Sequence, residues 1–397
     1  MYFKTLVLVL IILAAENSVW CQKIAEDAPS KNLSFIVADL SGQLHFEKNS
    51  DEALTPASVT KLFTTYAALK ILGVDYSFKT QVYRRIDQGK VEIAVVGNGD
   101  PVFNSESLYV LLTQLKVRGI SRIDLMTLDD SNFIEQFSNK GDRAYQSGTS
   151  ALSINNNSEE IFACKPIQNT TFKNCTSSYK STSDTRDYFK KFLDRIAKNL
   201  NIQINKFEFN SIANNKDKYT LLYQHYSPPL PKIIFDLNHF STNMIAEQLV
   251  FAIGESGGKF SHAKGVARIK ELMKEDLGQI IEIVDGSGLS TKNKISAKQI
   301  SLLLKKVIDD QLISPEFVTS MSIANISGTL KRRDTLNRQL LFRGKTGMLD
   351  GVSSIAGYLT AKSGRKLIFV SLQNGAIDVN KAKSWEESVI NKFWELY

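Results

Sequence analysis

The chain opens with an apolar run from Leu6 to Ala15, placed behind Lys4 and ahead of Glu16, Asn17 and Ser18. The run is about half the ~20 residues a membrane-spanning helix needs. It has the layout of an export signal, which we assign to 1–21. Alternating stretches at 33–40 and 44–48 flank Ser41-Gly42-Gln43 and predict a hairpin. A helix is predicted from Pro56 through Val59, Leu62, Phe63, Tyr66 and Leu69 to about Gly73. Strands are expected at 78–84, 91–96 and 123–128, with helices at 107–117 and 185–200. Residues 130–180 are rich in Asn, Ser, Thr and Lys without a sustained period, and read as loops.

Beyond Ser227-Pro228-Pro229 the pattern changes. Helices are predicted at 243–253, 262–275, 297–309 and 380–396, and strands at 340–346, 354–361 and 367–373. Late consecutive strands closed by a helix indicate a mixed α+β (α/β) domain, its antiparallel sheet flanked by helices. If the early hairpin joins that sheet, one domain comprises 22–78 plus 226–397. Residues 79–225 then form an inserted domain, with a small sub-insert near 140–180. No internal repeat is visible at periods of 20–50 residues.

Composition narrows the partners. With 397 residues, 43% hydrophobic and 23% charged, the chain suits two or three folded domains and excludes disorder. The 49 Lys and Arg against 41 Asp and Glu give +8, which favours an anionic partner. Export argues against nucleic acid and for an acidic wall polymer, with Lys331-Arg332-Arg333, Arg338 and Arg343 as the densest basic patch. No later segment approaches ~18 uninterrupted apolar residues, so the mature protein is expected to lack a transmembrane helix. Cys21 is a weak candidate for lipidation because Trp20 precedes it. The remaining Cys164 and Cys175 are candidates for a short disulfide, which export permits. Without His neighbours at ligand spacing they do not indicate a metal, and neither a metal nor an organic cofactor is implied.

The candidate chemistry begins at Thr55-Pro56-Ala57-Ser58-Val59-Thr60-Lys61. Thr55 suits an N-cap and Pro56 the first helical position. Ser58 and Lys61, three apart, share a helix face. A serine hydroxyl becomes a useful nucleophile when a base takes its proton, and a lysine serves once burial or a nearby cation lowers its pKa. The Ser58 N–H is also a candidate oxyanion donor, although a Thr55 cap would compete for it. The spacing alone says little, since Ser177–Lys180, Ser256–Lys259, Ser261–Lys264 and Ser363–Lys366 repeat it.

Order gives the pattern its weight. Ser58-Val59-Thr60-Lys61, Ser241-Thr242-Asn243 and Lys345-Thr346-Gly347 follow one another, a trio known from penicillin-binding proteins and serine β-lactamases. Ser241 can relay a proton to a leaving amine, and Asn243 can orient substrate and Lys61. Lys345 and Thr346 can hold a carboxylate, Gly347 keeps the strand surface open, and Met348 can offer a second oxyanion N–H. Residues two apart do not share a helix face, so Ser241 and Asn243 require a loop.

With these motifs the sequence resembles the S13 family of penicillin-binding proteins, low-molecular-mass D-alanyl-D-alanine carboxypeptidase/endopeptidases. Further matches are Gly97-Asn98-Gly99-Asp100-Pro101, Asp285-Gly286-Ser287-Gly288-Leu289-Ser290, Ser327-Gly328-Thr329-Leu330 and Gly351-Val352-Ser353-Ser354, and the resemblance covers about 35–397. His239 and Phe240 depart from it, standing where a Lys and a small or polar residue are expected. The resemblance implies a transpeptidase/β-lactamase-like domain interrupted by an insertion. It further implies an exported, periplasmic or envelope-associated serine peptidase acting on peptidoglycan stem or cross-link peptides, with β-lactams as covalent inhibitors. A β-lactamase-like hydrolase or esterase, and a non-catalytic wall-binding protein, are the alternatives. Gly254-Glu255-Ser256-Gly257-Gly258 matches a nucleophile elbow but follows a predicted helix, with its last histidine, His262, too close. Gly344-Lys345-Thr346 resembles a P-loop end, but Gln339 occupies the first glycine position.

Overall fold

The computed structural model describes Ile24 and residues 26–137, 141–166 and 173–397, giving the backbone alone for 162–166 and 173–176. The export signal and Cys21 lie outside the described residues. The chain divides into two compact units. One comprises 1–63, 238–241 and 270–397; the other comprises 64–237 and 242–269. Among the described residues no helix is long and apolar enough to cross a membrane.

The first unit is built on a six-stranded antiparallel sheet. Its spatial order is Ser322–Ile323, Leu341–Leu349, Val352–Thr360, Lys366–Asn374, Asn32–Asp39 and Leu44–Lys48. The early hairpin therefore completes the sheet made by the late strands, with Asn32 opposite Asn374 and Asp39 opposite Leu367. Asn32–Asp39 is buried along almost its whole length, because helices cover both faces. Phe35 and Val37 pack with Phe369, Trp385 and Phe393 under the Val379–Leu396 helix. Phe35 meets Phe369 at 5.2 Å and Trp385 at 5.9 Å between ring centroids. Each such ring contributes roughly 1.5–3 kcal/mol of burial. The Leu341–Leu349 strand is longer than predicted. A two-residue turn, Asp350-Gly351, sets Leu349 against Val352, and Gly351 carries φ +66°. Lys345-Thr346-Gly347 thus lies within a regular strand beside the sheet edge.

The second unit carries a five-stranded mixed sheet in the order Phe207–Phe209, Leu125–Asp129, Lys90–Val96, Lys79–Asp87 and Thr220–Tyr226. Helices Ser105–Val117 and Thr185–Asn199 supply much of its core. Leu108, Leu111, Leu112 and Leu115 fall on one helix face, and Tyr188, Phe189, Leu193 and Ile196 on the other helix. Asn104 and Asp184 cap these helices, accepting from Ser107 N and Asp187 N.

One expectation is corrected, and one element was not foreseen. Within 130–180, read as loops, Ser158–Pro166 and Lys173–Ser181 form an antiparallel hairpin. Its described side chains are mostly exposed, so there is no apolar alternation to betray it. The register sets Cys164 opposite Cys175, while their side chains lie outside the described residues. The helix Leu230–Phe240 was not foreseen behind Pro228-Pro229, although Leu230, Ile233, Ile234 and Leu237 are all buried at helical spacing.

The Gly97–Pro101 turn of the second unit is tightly confined. A Cβ at Gly97 would lie 2.1 Å from the Ala151 carbonyl oxygen, and Gly99 has φ +80° against the Phe133 ring. Asp100 Oδ1 accepts from Val102 N at 3.0 Å, while buried Oδ2 has no partner among the described residues. Burial pushes this carboxyl from 3.8 up to about 7. Between those values the native state holds a proton that the unfolded chain has released, so stability falls as pH rises through the window. Asp100→Asn is therefore expected to stabilise the protein at pH ~8 by a few kcal/mol, the advantage vanishing near pH ~4. Thermal melts of both proteins across pH check this; a constant offset would refute the assignment.

Candidate active site

The site of the first unit begins where the chain enters the helix that starts at Lys61. Ala57–Thr60 forms a 3₁₀ turn that runs into the helix Lys61–Ile71. Ala57 has φ +48°, a conformation that costs a non-glycine residue about 1 kcal/mol or more. The expected Thr55 cap is not formed. Thr55 Oγ1 instead donates to Thr291 O at 3.2 Å and accepts from Lys294 Nζ at 2.9 Å. Its hydroxyl therefore does not compete for the Ser58 N–H. Ser58 is half-buried. Fully buried Lys61 places Nζ 2.9 Å from Ser58 Oγ and donates to the Ser287 carbonyl at 2.6 Å.

That carbonyl is delivered by a loop whose purpose the sequence did not disclose. Buried Asp285 accepts from Gly288 N at 2.8 Å, Ser290 N at 2.7 Å and Asn293 Nδ2 at 2.7 Å. Gly288 has φ +80°, and a Cβ there would lie 1.8 Å from the Ala57 carbonyl oxygen. The loop is thus pressed onto the Ser58 turn. The spacing of Asp285 from Gly288 and Ser290 was the available signal, since a short carboxylate folds a local loop by accepting backbone N–H groups.

The Leu341–Leu349 strand forms the opposite wall. Lys345 is fully buried and donates from Nζ to Ser241 Oγ and to the Thr346 carbonyl, both at 2.8 Å. Burial, with the Lys61 charge added, holds the Lys345 ammonium well below the usual lysine range. Gly347 has no room for a side chain. A Cβ would meet Ser354 Oγ at 2.3 Å, Pro56 O at 2.6 Å and Ser58 N at 2.9 Å. Thr346 O faces Lys345 Nζ, so strand alternation puts the Met348 N–H on that same edge. Thr346 Oγ1 lies 2.8 Å from Thr329 Oγ1.

Ser241 ends the Leu230–Phe240 helix with φ +59°. The preceding turn is anchored by Asn238 Nδ2 to Ser320 Oγ at 2.9 Å and by His239 Nδ1, 3.2 Å from Ser320 O. His239 is buried and Phe240 exposed. Asn243 opens the Asn243–Ile253 helix and belongs to the second unit, where its Nδ2 donates to the Tyr145 carbonyl at 2.8 Å. The first unit therefore brings together Ser58, Lys61, Ser241, Lys345, Thr346 and Gly347.

The basic patch loses a member. Arg333 is buried and paired with Glu386 and Glu387 at 3.1 and 3.3 Å, so it holds the C-terminal helix rather than offering charge to solvent. Gly254-Glu255-Ser256 follows a helix, not the strand an elbow needs.

A family model described as the D-Ala-D-Ala carboxypeptidase 3 (S13) family matches residues 20–166 and 151–393. The chain is 26% identical to the D-alanyl-D-alanine carboxypeptidase DacB of Haemophilus influenzae, over 89% of this chain and 87% of that one. It is 22% identical to a D-alanyl-D-alanine carboxypeptidase of an Actinomadura species, over 86% and 77% respectively. The crystal structure of penicillin binding protein 4 (dacB) from Haemophilus influenzae shares the fold, with a TM-score of 0.80 at 22% identity, over 94% of this chain and 99% of that one.

The packing around Gly347 generates a test. Gly347→Ala must displace the Pro56–Ser58 backbone or the strand, a shift on the scale of an ångström. Reaction of Ser58 with an activated ester is expected to slow by about 100-fold, with a stability loss of about 1–3 kcal/mol. Stopped-flow acylation and thermal melting measure the two effects. An unchanged acylation rate would show that Ser58 does not depend on this contact.

Proposed function

The chain belongs to the D-Ala-D-Ala carboxypeptidase 3 (S13) family of serine-type peptidases, and from that premise we propose that it cleaves D-Ala-D-Ala stem or cross-link peptides of peptidoglycan through an acyl-enzyme on Ser58. The observation that carries this reading is Lys61 Nζ lying 2.9 Å from Ser58 Oγ in a buried setting. With its proton absent, Lys61 can take the Ser58 proton as Oγ attacks the scissile carbonyl. The N–H groups of Ser58 and Met348 are aimed at the developing oxyanion. Ser241, held by Lys345 Nζ, passes its hydroxyl proton to the departing amine and is recharged with the proton that Lys61 took from Ser58, which returns Lys61 to its neutral form for deacylation. Thr346 receives the terminal carboxylate, and Lys345 strengthens that attraction through its charge when protonated. Asn243 carries an amide of the kind that orients a peptide substrate. Water then releases the acyl group from Ser58.

Two features extend the proposal. The apolar run behind Lys4 supports export to the periplasm or cell envelope. Residues 79–225 are read as an insertion into a catalytic domain of 22–78 plus 226–397. β-Lactams join a strained amide to a carboxylate, so they fit the same nucleophile and anion site and should acylate Ser58. A β-lactam complex has been solved for the Haemophilus penicillin binding protein 4, and we extend that behaviour to this chain as part of the proposal.

Incubation with benzylpenicillin, read by intact-protein mass, is expected to yield a lasting one-to-one adduct that Ser58→Ala abolishes. Lys61→Ala should slow adduct formation by about 10²–10⁴-fold. Rapid antibiotic hydrolysis without a lasting adduct would replace this reading with a β-lactamase. A folded protein giving neither adduct nor hydrolysis would leave a wall-binding protein.

A further inference from the structure

Thr329 belongs to the 3₁₀ turn Gly328–Leu330, and the functional reading has given it no task. Its hydroxyl oxygen lies 2.8 Å from that of Thr346; Thr329 is exposed and Thr346 half-buried. Thr329 is held from behind. Its N–H donates to Ser322 Oγ at 3.1 Å, and Ser322 is itself buried. Gly328 has φ +59°, and a Cβ there would lie 2.2 Å from Ser322 Oγ and 2.7 Å from the His239 carbonyl oxygen. The turn is therefore seated against the segment that leads into Ser241. Thr346 is fixed in turn by the regular pairing of its strand with Val352–Thr360. Two rigid elements thus bring two hydroxyls to one exposed spot, and one of them belongs to the strand that carries Lys345.

Two hydroxyls share a single proton in the bond between them, and each oxygen carries one hydrogen. Whichever way that bond runs, one of the two O–H groups remains directed elsewhere. If Thr346 donates to Thr329, as the geometry favours, the remaining hydrogen is on Thr329. Among the described residues, Ser322 Oγ lies 3.5 Å from Thr329 Oγ1, too far to hold that hydrogen firmly. The outward donor is then Thr329, polarised by Thr346 behind it. When a carboxylate arrives, Thr346 can exchange its bond to Thr329 for one to the ligand, and two hydroxyl oxygens 2.8 Å apart then suit the two carboxylate oxygens, which are separated by about 2.2 Å and accept in parallel.

We propose that Thr329 is a specificity-determining residue, supplying with Thr346 a two-hydroxyl cradle for the carboxylate at the C-terminus of the peptide substrate. This rests on the serine-peptidase reading above. It adds that recognition of the free carboxylate is divided between the strand and the Gly328–Leu330 turn.

The test compares a peptide ending in D-Ala-D-Ala with an activated acyl ester that acylates Ser58 but bears no carboxylate. Thr329→Val removes the hydroxyl at nearly constant volume. It is expected to lower kcat/KM for the peptide by about 10-fold or more, chiefly through KM, while leaving the ester within about twofold. Thr329→Ser should restore peptide turnover, and thermal melts would report any loss of fold. Equal losses on both substrates would make Thr329 a structural residue and overturn the proposal. Unchanged kinetics on both would overturn it as well. Wild-type protein inert toward the ester and toward the peptide would sink the serine-peptidase reading, and the cradle with it.

Discussion

Two lysine side chains buried in one unit, each closing on a serine, are the constraint to which the rest of the site answers. Lys61 and Lys345 are both fully inaccessible to solvent, and removing an ammonium from water costs several kcal/mol. Each is given oxygen acceptors in return: Ser58 Oγ and the Ser287 carbonyl for Lys61, Ser241 Oγ and the Thr346 carbonyl for Lys345. Burial, and after it the charge of Lys61, depresses the basicity of Lys345. A lysine left to water would be paired with a solvated hydroxyl and would have no reason to give up its proton near neutral pH. In the proposed mechanism this costly burial is what would make a lysine available as a base.

Holding that arrangement requires that neither wall move. The sheet achieves this by reaching around the Ser58 turn. Asn374, at the end of its strand, accepts from Thr55 N at 2.8 Å and donates to Thr55 O at 3.0 Å, so its side-chain amide imitates a strand neighbour. Ser354 donates to Pro56 O at 2.6 Å. Gly347 lets the strand close onto the same backbone. On the other side, Asp285 draws three donors inward and fixes the carbonyl that Lys61 needs. The aromatic core beneath Asn32–Asp39 and Lys366–Asn374 is what makes this frame stiff.

Much of this was legible because local chemistry and global packing agree. The helix at 243–253 and that at 297–309 appear with the predicted bounds, since each has apolar residues at helical spacing and a plain stop. The three late strands were recognised as a sheet, and the early hairpin joins it as expected. The sequence was silent where the determining partner is distant. Nothing near Thr55 reveals that Thr291 and Lys294 will claim its hydroxyl, and so the capping rule failed. The pairing of Ser158–Pro166 with Lys173–Ser181 was hidden because the described side chains of these strands are mostly exposed. Ser287 was invisible as a site residue because it acts through a backbone carbonyl, which every residue possesses.

The same reasoning accounts for where the strain lies. Ala57 and Ser241 both adopt positive φ, and each stands at a residue of the proposed mechanism: one before Ser58, one at the second serine itself. Glycine would accept those angles without cost, yet it would leave the turn free to sample others and would raise the entropy lost on folding. Ala57 is completely buried and its carbonyl is in contact with the Gly288 backbone and the Thr60 hydroxyl. These carbonyl contacts, and not the methyl group, hold the turn in the conformation that sets Ser58 against Lys61. Strain in these two residues is the local counterpart of the buried lysines: in both cases the unfavourable state persists because the surrounding packing permits no other.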